Sequence, residues 1–559
     1  MATLFPNDIA EDICRRQKRA ETDRATLDST CDEIARRCLP GYSGSFLGAS
    51  QNRTKYDKKT EDMVDATAAL ALPRFAAAME SMLTPRSQRW HRLVPNDKSL
   101  MRNRLVRMWF EDVADILFQY RYAPKANYAS QQHEVYMGLG AFGTGAMFVD
   151  ALRDRQDRGV RYRAIHLGEI YFLENHQGII DTAFRKFPLT ARQAVQQFDG
   201  LPKEITDAAG KADTSEAEHW FIHAVTPRGE ARGYDPERVD AKGMTYAADY
   251  VSVTGKQMVR LKGQTDESGY HKFPYPISRY VIAPGEVYGR SPAMLALPSI
   301  MTLNEQKKTV LKHGHRAIAP PLFAPDDGVI DGLSLRPDAI NYGGVDSSGR
   351  MMVHTLPVGN LALAKEMMEA ERAVINDAFL ISLFQILVDT PQMTATEVLE
   401  RAREKGALLS PTMGRQQSEA LGPMIERELD VLSAQGLLPE MPQILLEAQR
   451  EVGFQVIYES PLSKSERAGE ASGLMRLVDW TRESVALTGD PSPLDWIDWD
   501  MAMPDLADIG GVRSKWLRDA DSVAKIREGR AQQAQQQQML EAAPAMAGAM
   551  KAMGPQARA

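Results

Sequence analysis

The sequence predicts an α+β protein, mainly helical and built from more than one structural unit. Three observations carry this reading. Long tracts free of Gly and Pro repeat small apolar and charged residues at helical spacing. A middle stretch from about Ala146 to Ile282 breaks into short β-like runs between Gly and charged turns. At 559 residues the chain also exceeds what one core usually holds.

From Ile9 to Arg37 the chain is rich in Glu, Asp, Arg and Ala without Gly or Pro, which predicts one long, largely solvated helix ended by "CLPGYSG". An Ala-rich helix follows over Lys58 to Leu83 and is broken by "TPRSQRWHRLVP"; helices over Lys98 to Gln119 and Tyr128 to Met137 come next. The β-rich part holds "AMFVDA", "VRYRAIHLGEIYFLE", "EHWFIHAVTP" and "YVSVTGKQMVRLKG", with "ITDAAGKADTSEAE" as a polar loop or short helix inside it. Helix returns over Ser291 to Ala317, with Ser291 as cap and Pro292 at its preferred first position. The next forty residues, to Gly359, are too rich in Pro, Gly and Asp to be helical throughout. A second long helix spans Asn360 to Gln385, and a third tract begins at a capping box, Thr394 with Glu397, and runs towards Gly436 with an interruption at "LLSPTMG". Beyond it lie the strand-like "GFQVIYESPL" and a helical region, Lys464 to Gln538, interrupted by "TGDPSPLDWIDWDMAMPDLADIGG"; the tail from Gly529 is of low complexity.

Composition narrows the function. With 43% hydrophobic and 25% charged residues the chain reads as soluble and folded, and a net charge of −7 gives no global reason to bind DNA or a membrane surface. The longest apolar run, "AFLISLFQILV", is about half of the roughly 20 residues a spanning helix needs. The first residues carry no signal-peptide pattern, so expression in a cytoplasm is expected. Cys14, Cys31 and Cys38 lack C-x-x-C spacing and read as reduced packing residues.

Chemical motifs fail one after another. Gly138, Gly140 and Gly143 in "YMGLGAFGTGAMFVD" have G-x-G-x-x-G spacing, but a dinucleotide fingerprint needs a strand before it and a helix after it. Here the predicted order is helix then strand, so the glycines mark a turn with positive φ or close backbone approach. No Walker motif, metalloprotease His pair or nucleophile elbow is present, and no metal or cofactor is expected. An enzyme is the weaker class. What remains is a basic rod with Lys307, Lys308, Lys312 and Arg316, leading into an insertion with Asp326, Asp327, Asp331, Asp338 and Asp346.

The run "YGRSPAMLALPSIMTLNEQKKTVLKHGHRAIAPPLFAPDDG" resembles the portal proteins, or head-to-tail connectors, of short-tailed T7-like bacteriophages. So do "MTATEVLERAREKGALLSP", "LGPMIERELDVLSAQGLLP", "LRDADSVAKIREGRAQQ" and, in the N-terminal part, "TPRSQRW" and "GLGAFGTGAMFV". The resemblance implies the phage portal fold with wing, stem, clip and crown, assembled as a closed ring of about twelve identical subunits by heterologous contacts. It sets the wing at 1–288, stem helix 1 at 289–317, the clip at 318–359 and stem helix 2 at 360–385. It sets a tunnel loop at 386–394, a long wing/stem helix at 395–436, a wing strand region at 437–463, and the crown and tail at 464–559. By the same resemblance Lys307, Lys308, Lys312 and Arg316 are candidates to face DNA in the channel, some of them instead bridging neighbouring subunits. The loop Ile386, Leu387, Val388, Asp389, Thr390, Pro391, Gln392, Met393, Thr394 would grip DNA. Asp326, Asp327, Asp331 and Asp338 would dock partners. The partners it implies are further copies of the chain, double-stranded DNA, a major capsid or scaffolding protein, a terminase large subunit, and tail adaptor and nozzle proteins, with no membrane. The place it implies is the capsid portal vertex of a virion made in a bacterial cytoplasm. An oligomeric helical scaffold and, more weakly, a subunit of a DNA-processing enzyme are the alternatives.

Overall fold

The computed structural model describes residues 6–39, 46, 63–152, 158–229, 232–263, 268–323, 334, 336, 339–342, 344–355, 361–381, 411–448, 453–459, 461–490, 492–509, 512, 514–518 and 522–537. The chain divides into two compact units. The first comprises Met1–Ser81, Pro124–Val398 and Leu408–Val431, and the second Met82–Ala123, Leu399–Ala407 and Leu432–Ala559.

In chain order the helices are α1 (Pro6–Asp23), α2 (Ala25–Cys38), α3 (Thr67–Leu83), α4 (Arg104–Arg121), α5 (Tyr128–Phe142), α6 (Ala191–Gln197), α7 (Lys203–Ala209), α8 (Pro292–Ile318), α9 (Leu361–Ala378), α10 (Gly422–Ala434), α11 (Gln443–Ala448), α12 (Pro461–Thr488), α13 (Trp499–Ile509) and α14 (residues 522–537). The strands are β1 (His91–Pro95), β2 (Thr144–Ala151), β3 (Val160–Ile165), β4 (Ile170–Glu174), β5 (Ile180–Thr190), β6 (Phe198–Asp199), β7 (Glu218–Pro227), β8 (Tyr246–Ser252), β9 (Gln257–Leu261), β10 (Ser268–Tyr270), β11 (Ile277–Arg279), β12 (Leu322–Phe323), β13 (His354–Thr355) and β14 (Phe454–Tyr458).

The first unit is organised by an antiparallel sheet in the order β4-β5-β7-β8-β9-β6, with β10 also on β8. Alternation along each strand gives the sheet two apolar faces. Phe187, Phe221 and Tyr250 pack with Ala191, Ala194 and Ile205 of α6 and α7 on one face. On the other, Phe184, Ile222 and Val251 pack with Ala10, Ile13 and Ala20 of α1. A second sheet, β11-β2-β3, is also antiparallel.

The N-terminal helix differs from expectation in two ways. It turns at Arg24, giving α1 and α2, and it is not largely solvated. Ala10, Ile13, Gln17, Ala20, Arg24, Asp28, Cys31, Ala35 and Cys38 are all buried, at steps of three or four residues that make one helix face. Gln17, Arg24 and Asp28 hide that stripe from a hydrophobicity reading. Arg24 is 2% exposed. Its guanidinium pairs with Asp28 at 2.7 Å, donates to the Leu167 and Ile170 carbonyls at 2.7 and 2.6 Å, and lies 4.0 Å from the Tyr171 ring centre. The cysteines behave as expected: all three are free thiols, and burial pushes Cys31 and Cys38 up to about 12.

The glycine cluster is the turn between α5 and β2. Gly143 closes α5 with φ 73°, and its N–H donates to the Leu139 carbonyl at 3.0 Å. A Cβ on Gly143 would sit 2.3 Å from the Gly289 carbonyl oxygen, and one on Gly140 would sit 2.6 Å from Leu72 Cδ1. These glycines serve close packing.

Four further elements differ from expectation. α9 ends at Ala378, where Leu380 takes φ 59° while Phe379 and Ile381 turn into the core, and residues 382–385 of the expected helix lie outside the described residues. Over its described residues, from 411, the tract towards Gly436 is helical, including Pro411 to Gly414 of the expected interruption, and stops at Gly436 (φ 66°) as its sequence predicts, but contains a π-helical turn, Gln417–Leu421. That turn is held by β11: Arg279 pairs with Glu419 at 2.9 Å, and Gln416 Nε2 donates to the Arg279 carbonyl at 2.8 Å. In the second unit, "HRLVP", part of an expected break, forms β1, antiparallel to β14 with Leu93 opposite Val456. There too α13 occupies the expected interruption, started by Asp498, whose Oδ1 accepts from the Asp500 N–H at 3.0 Å.

Candidate functional site

The functional question falls on α8, α9 and the chain between them. Ser291 caps α8, its Oγ accepting from the Met294 N–H at 2.9 Å and donating to the Ala141 carbonyl at 2.8 Å. Gly289 N–H donates to Thr144 Oγ1 at 2.9 Å, and Tyr280 N–H to the Gly143 carbonyl at 2.9 Å. The start of α8 is therefore seated on the α5–β2 turn. Its 27 residues then make a rod of about 40 Å at 1.5 Å per residue.

Asp65, just before α3, ties the rod to α9. Oδ1 accepts from the Thr67 N–H at 2.9 Å, serving the first turn of α3. Oδ2 accepts from Lys307 Nζ of α8 at 3.1 Å and from Arg372 Nη2 of α9 at 2.9 Å. Asn304, buried in α8, accepts the Val64 and Asp65 N–H groups at 2.8 and 3.0 Å through Oδ1 and donates to the Ile300 carbonyl at 2.8 Å. Burial alone would raise the Asp65 pKa; hydrogen bonds from Thr67, Arg372 and Lys307 outweigh it and hold the carboxyl well below its ordinary value.

The four α8 cations thus separate. Lys307 is engaged inside the chain by Asp65. Lys308 is half-buried and pairs with Glu305 at 2.8 Å. Lys312 and Arg316 are exposed and form no ion pair among the described residues. Beyond α8 the chain makes an excursion whose base is closed by β12 and β13, Leu322 opposite Thr355 and Phe323 opposite His354. Within it Asp346 orders a turn, Oδ1 accepting from the Ser348 and Arg350 N–H groups at 2.8 and 2.9 Å. Asp326, Asp327, Asp331 and Asp338, and the loop Ile386 to Thr394, lie outside the described residues. Among the described residues there is no group of His, Cys, Asp and Glu able to hold a metal ion, and no helix is long and apolar enough to cross a membrane.

Asp65, Asn304 and Arg372 were not singled out from sequence. Two signals were available: "VDAT" ahead of an apolar helical run is a helix-start pattern, and Asn304 falls on the apolar face with Ile300 and Leu303.

Residues 10–517 match the family described as bacteriophage head to tail connecting protein. The chain belongs to that connector family. It is 28% identical over 537 residues to the portal protein of Salmonella phage epsilon15, covering 95% of this chain and 92% of that one. To the probable portal protein of Bordetella phage BPP-1 it is 29% identical over 531 residues, 94% and 91% of the two chains. A chain from the virion of a native gene transfer agent particle aligns over 76% of this connector and 86% of its own length, at 12% identity and a TM-score of 0.33, too distant to argue from. The matches establish the connector family without narrowing it to the T7-like group. A connector's role is structural, and the phage portal relatives are virion components.

Proposed function

We propose that this connector is a portal subunit. About twelve copies close into a ring by heterologous contacts at one capsid vertex, and double-stranded DNA enters and leaves through the ring. The observation that carries the reading is the long α8, the excursion closed at its base by β12 and β13, and α9, in a chain whose 10–517 match the connector family. α8 and α9 are then the stem, the excursion 318–359 the clip, the β-rich part with the N-terminal helices the wing, and the region after about Lys464 the crown. Asp326, Asp327, Asp331 and Asp338 of the clip dock a terminase large subunit during filling and tail adaptor and nozzle proteins afterwards. The loop 386–394 contacts DNA, and a capsid or scaffolding protein surrounds the wing. The chain itself performs no catalysis.

Charge supports a passage over a grip. Each phosphate neutralised by Lys or Arg adds salt-dependent affinity, which would drag on moving DNA. The chain carries net charge −7, and Lys307 and Lys308 of α8 are answered by Asp65 and Glu305. Light scattering and negative-stain images of the purified protein are expected to show closed rings; a chain that stays monomeric at every salt concentration overturns the proposal.

A further inference from the structure

α9 is apolar on two opposite faces. Met368 and Ile375, 8% and 0% exposed, face the core. On the far side Leu363, Met367, Ala370 and Val374 follow each other at steps of four, three and four residues, the spacing of a helix–helix seam, and all are exposed, Leu363 at 57% and Val374 at 51%. Beside this stripe Glu366 is exposed and forms no ion pair among the described residues. α8 carries the opposite charge: Lys308, Lys312 and Arg316 lie along one side, with Met301 and Leu311 also exposed.

The two surfaces lie at matching heights. Lys307 and Arg372 meet at Asp65, so they are level. α8 and α9 run in opposite directions, so stepping away from Asp65 puts Lys312 level with Met367 and Arg316 level with Leu363. Glu366 falls between the two cations. Rotation about a ring axis moves copies around that axis and not along it, so with α8 and α9 running along the axis, residues level in one copy are level in its neighbours. Within one copy Glu366 is on the side of α9 away from its core face and forms no ion pair with its own α8 cations.

We infer that the Leu363–Met367–Ala370–Val374 stripe of one copy packs on α8 of the next, with Glu366 set between that neighbour's Lys312 and Arg316. This rests on the ring reading and names the surfaces that close the ring. It assigns Lys312 and Arg316 to a protein neighbour, not to DNA. The contact is heterologous, since the donor and receiving faces differ, and this is what a closed ring requires.

The test uses the full chain in two variants, Lys312→Glu/Arg316→Glu and Glu366→Lys, followed by sedimentation velocity and negative stain. Each alone is expected to need about tenfold more protein to form rings, because like charges then face each other across the seam. An equimolar mixture is expected to recover rings at the wild-type concentration, since each variant's altered helix meets the other's complementary one. Circular dichroism melts of the unassembled variants should match wild type; if charge reversal unfolds the chain, Lys312→Gln/Arg316→Gln carry the same test with a smaller shift. Rings that form from either variant as readily as from wild type sink the seam alone, as does a mixture of folded variants that fails to recover. Intact rings with altered retention of duplex DNA would assign the cations to the channel and overturn the inference. A monomeric wild type would sink the ring reading itself.

Discussion

Asp65→Asn isolates the tie between α8 and α9, because the two carboxylate oxygens do separate jobs. Asn keeps an oxygen at Oδ1 for the Thr67 N–H, so the start of α3 survives. At the other position it presents an N–H₂ group to Lys307 and Arg372, whose hydrogen bonds to Oδ2 are lost. A buried charge-assisted hydrogen bond contributes about 1.5–3 kcal/mol, but the cation side chains are 32% and 28% exposed and can turn to water. Discounting each to about 1 kcal/mol and adding the donor-against-donor contact gives a loss of about 2–3 kcal/mol. That corresponds to a roughly 30- to 160-fold larger local opening equilibrium.

Hydrogen exchange reads this directly. Peptides from α9 and from 63–83 should exchange faster in the variant, while β7 in the centre of the sheet should not change. pH supplies a second check. The folded pKa of Asp65 is depressed, so its contribution is full above the unfolded carboxylate value of about 3.9 and fades as pH falls below it. The gap between wild type and Asp65→Asn should therefore be full from pH 7 down to about pH 5 and narrow progressively as pH falls below about 4. A change under about threefold in α9, or one spread evenly through β7, would refute the claim that Asp65 couples the helices.

Gly143→Ala should destabilise by about 3 kcal/mol, since it strains a left-handed residue and drives a methyl group into the Gly289 carbonyl; Gly138→Ala, whose nearest neighbour would be 3.6 Å away, should stabilise by about 0.5–1 kcal/mol. Urea melts that do not separate the two would contradict the packing role. Arg24→Lys keeps a charge but loses the guanidinium that faces Asp28 with Nε while Nη1 donates to both carbonyls, and a cost of about 2–4 kcal/mol is expected in the same assay; a shift under about 0.5 kcal/mol would show that Lys substitutes freely. Deleting Leu387 to Gln392 should leave ring assembly intact and lower the DNA retained in filled particles, and unchanged retention would reject the gripping role of that loop.

Much of the architecture was legible because it rests on local rules. Ser291 and Pro292 announce the start of α8, Gly436 the end of the α10 tract, and short β-like runs between Gly and charged turns mark β7 and β8. The glycine turn was legible too, once the elements on either side of it were weighed against what a phosphate site needs. Failures arose where a distant part of the chain decided the outcome. β1 carries Arg92 and ends at Pro95, so it reads as a break until β14 supplies its hydrogen bonds. α9 ends where Phe379 turns into the core to meet Phe75, a contact no window around Phe379 contains.

The same reasoning explains why the α8 charges could be found by sequence and not sorted by it. Lys307 and Lys308 are adjacent in "NEQKKTVLKHGHR", and neither spacing nor composition distinguishes them. What does is Asp65, more than two hundred residues earlier and brought beside α8 by Asn304. One lysine thereby becomes part of the scaffold that sets the height of α9, and Lys312 and Arg316 are left outward at the level of the acidic, apolar-striped face. A charge on a helix gains its role from what is fixed next to it. In this chain the fixed point is a single carboxylate, and both the proposed seam and the stability of the α8–α9 pair are measured from it.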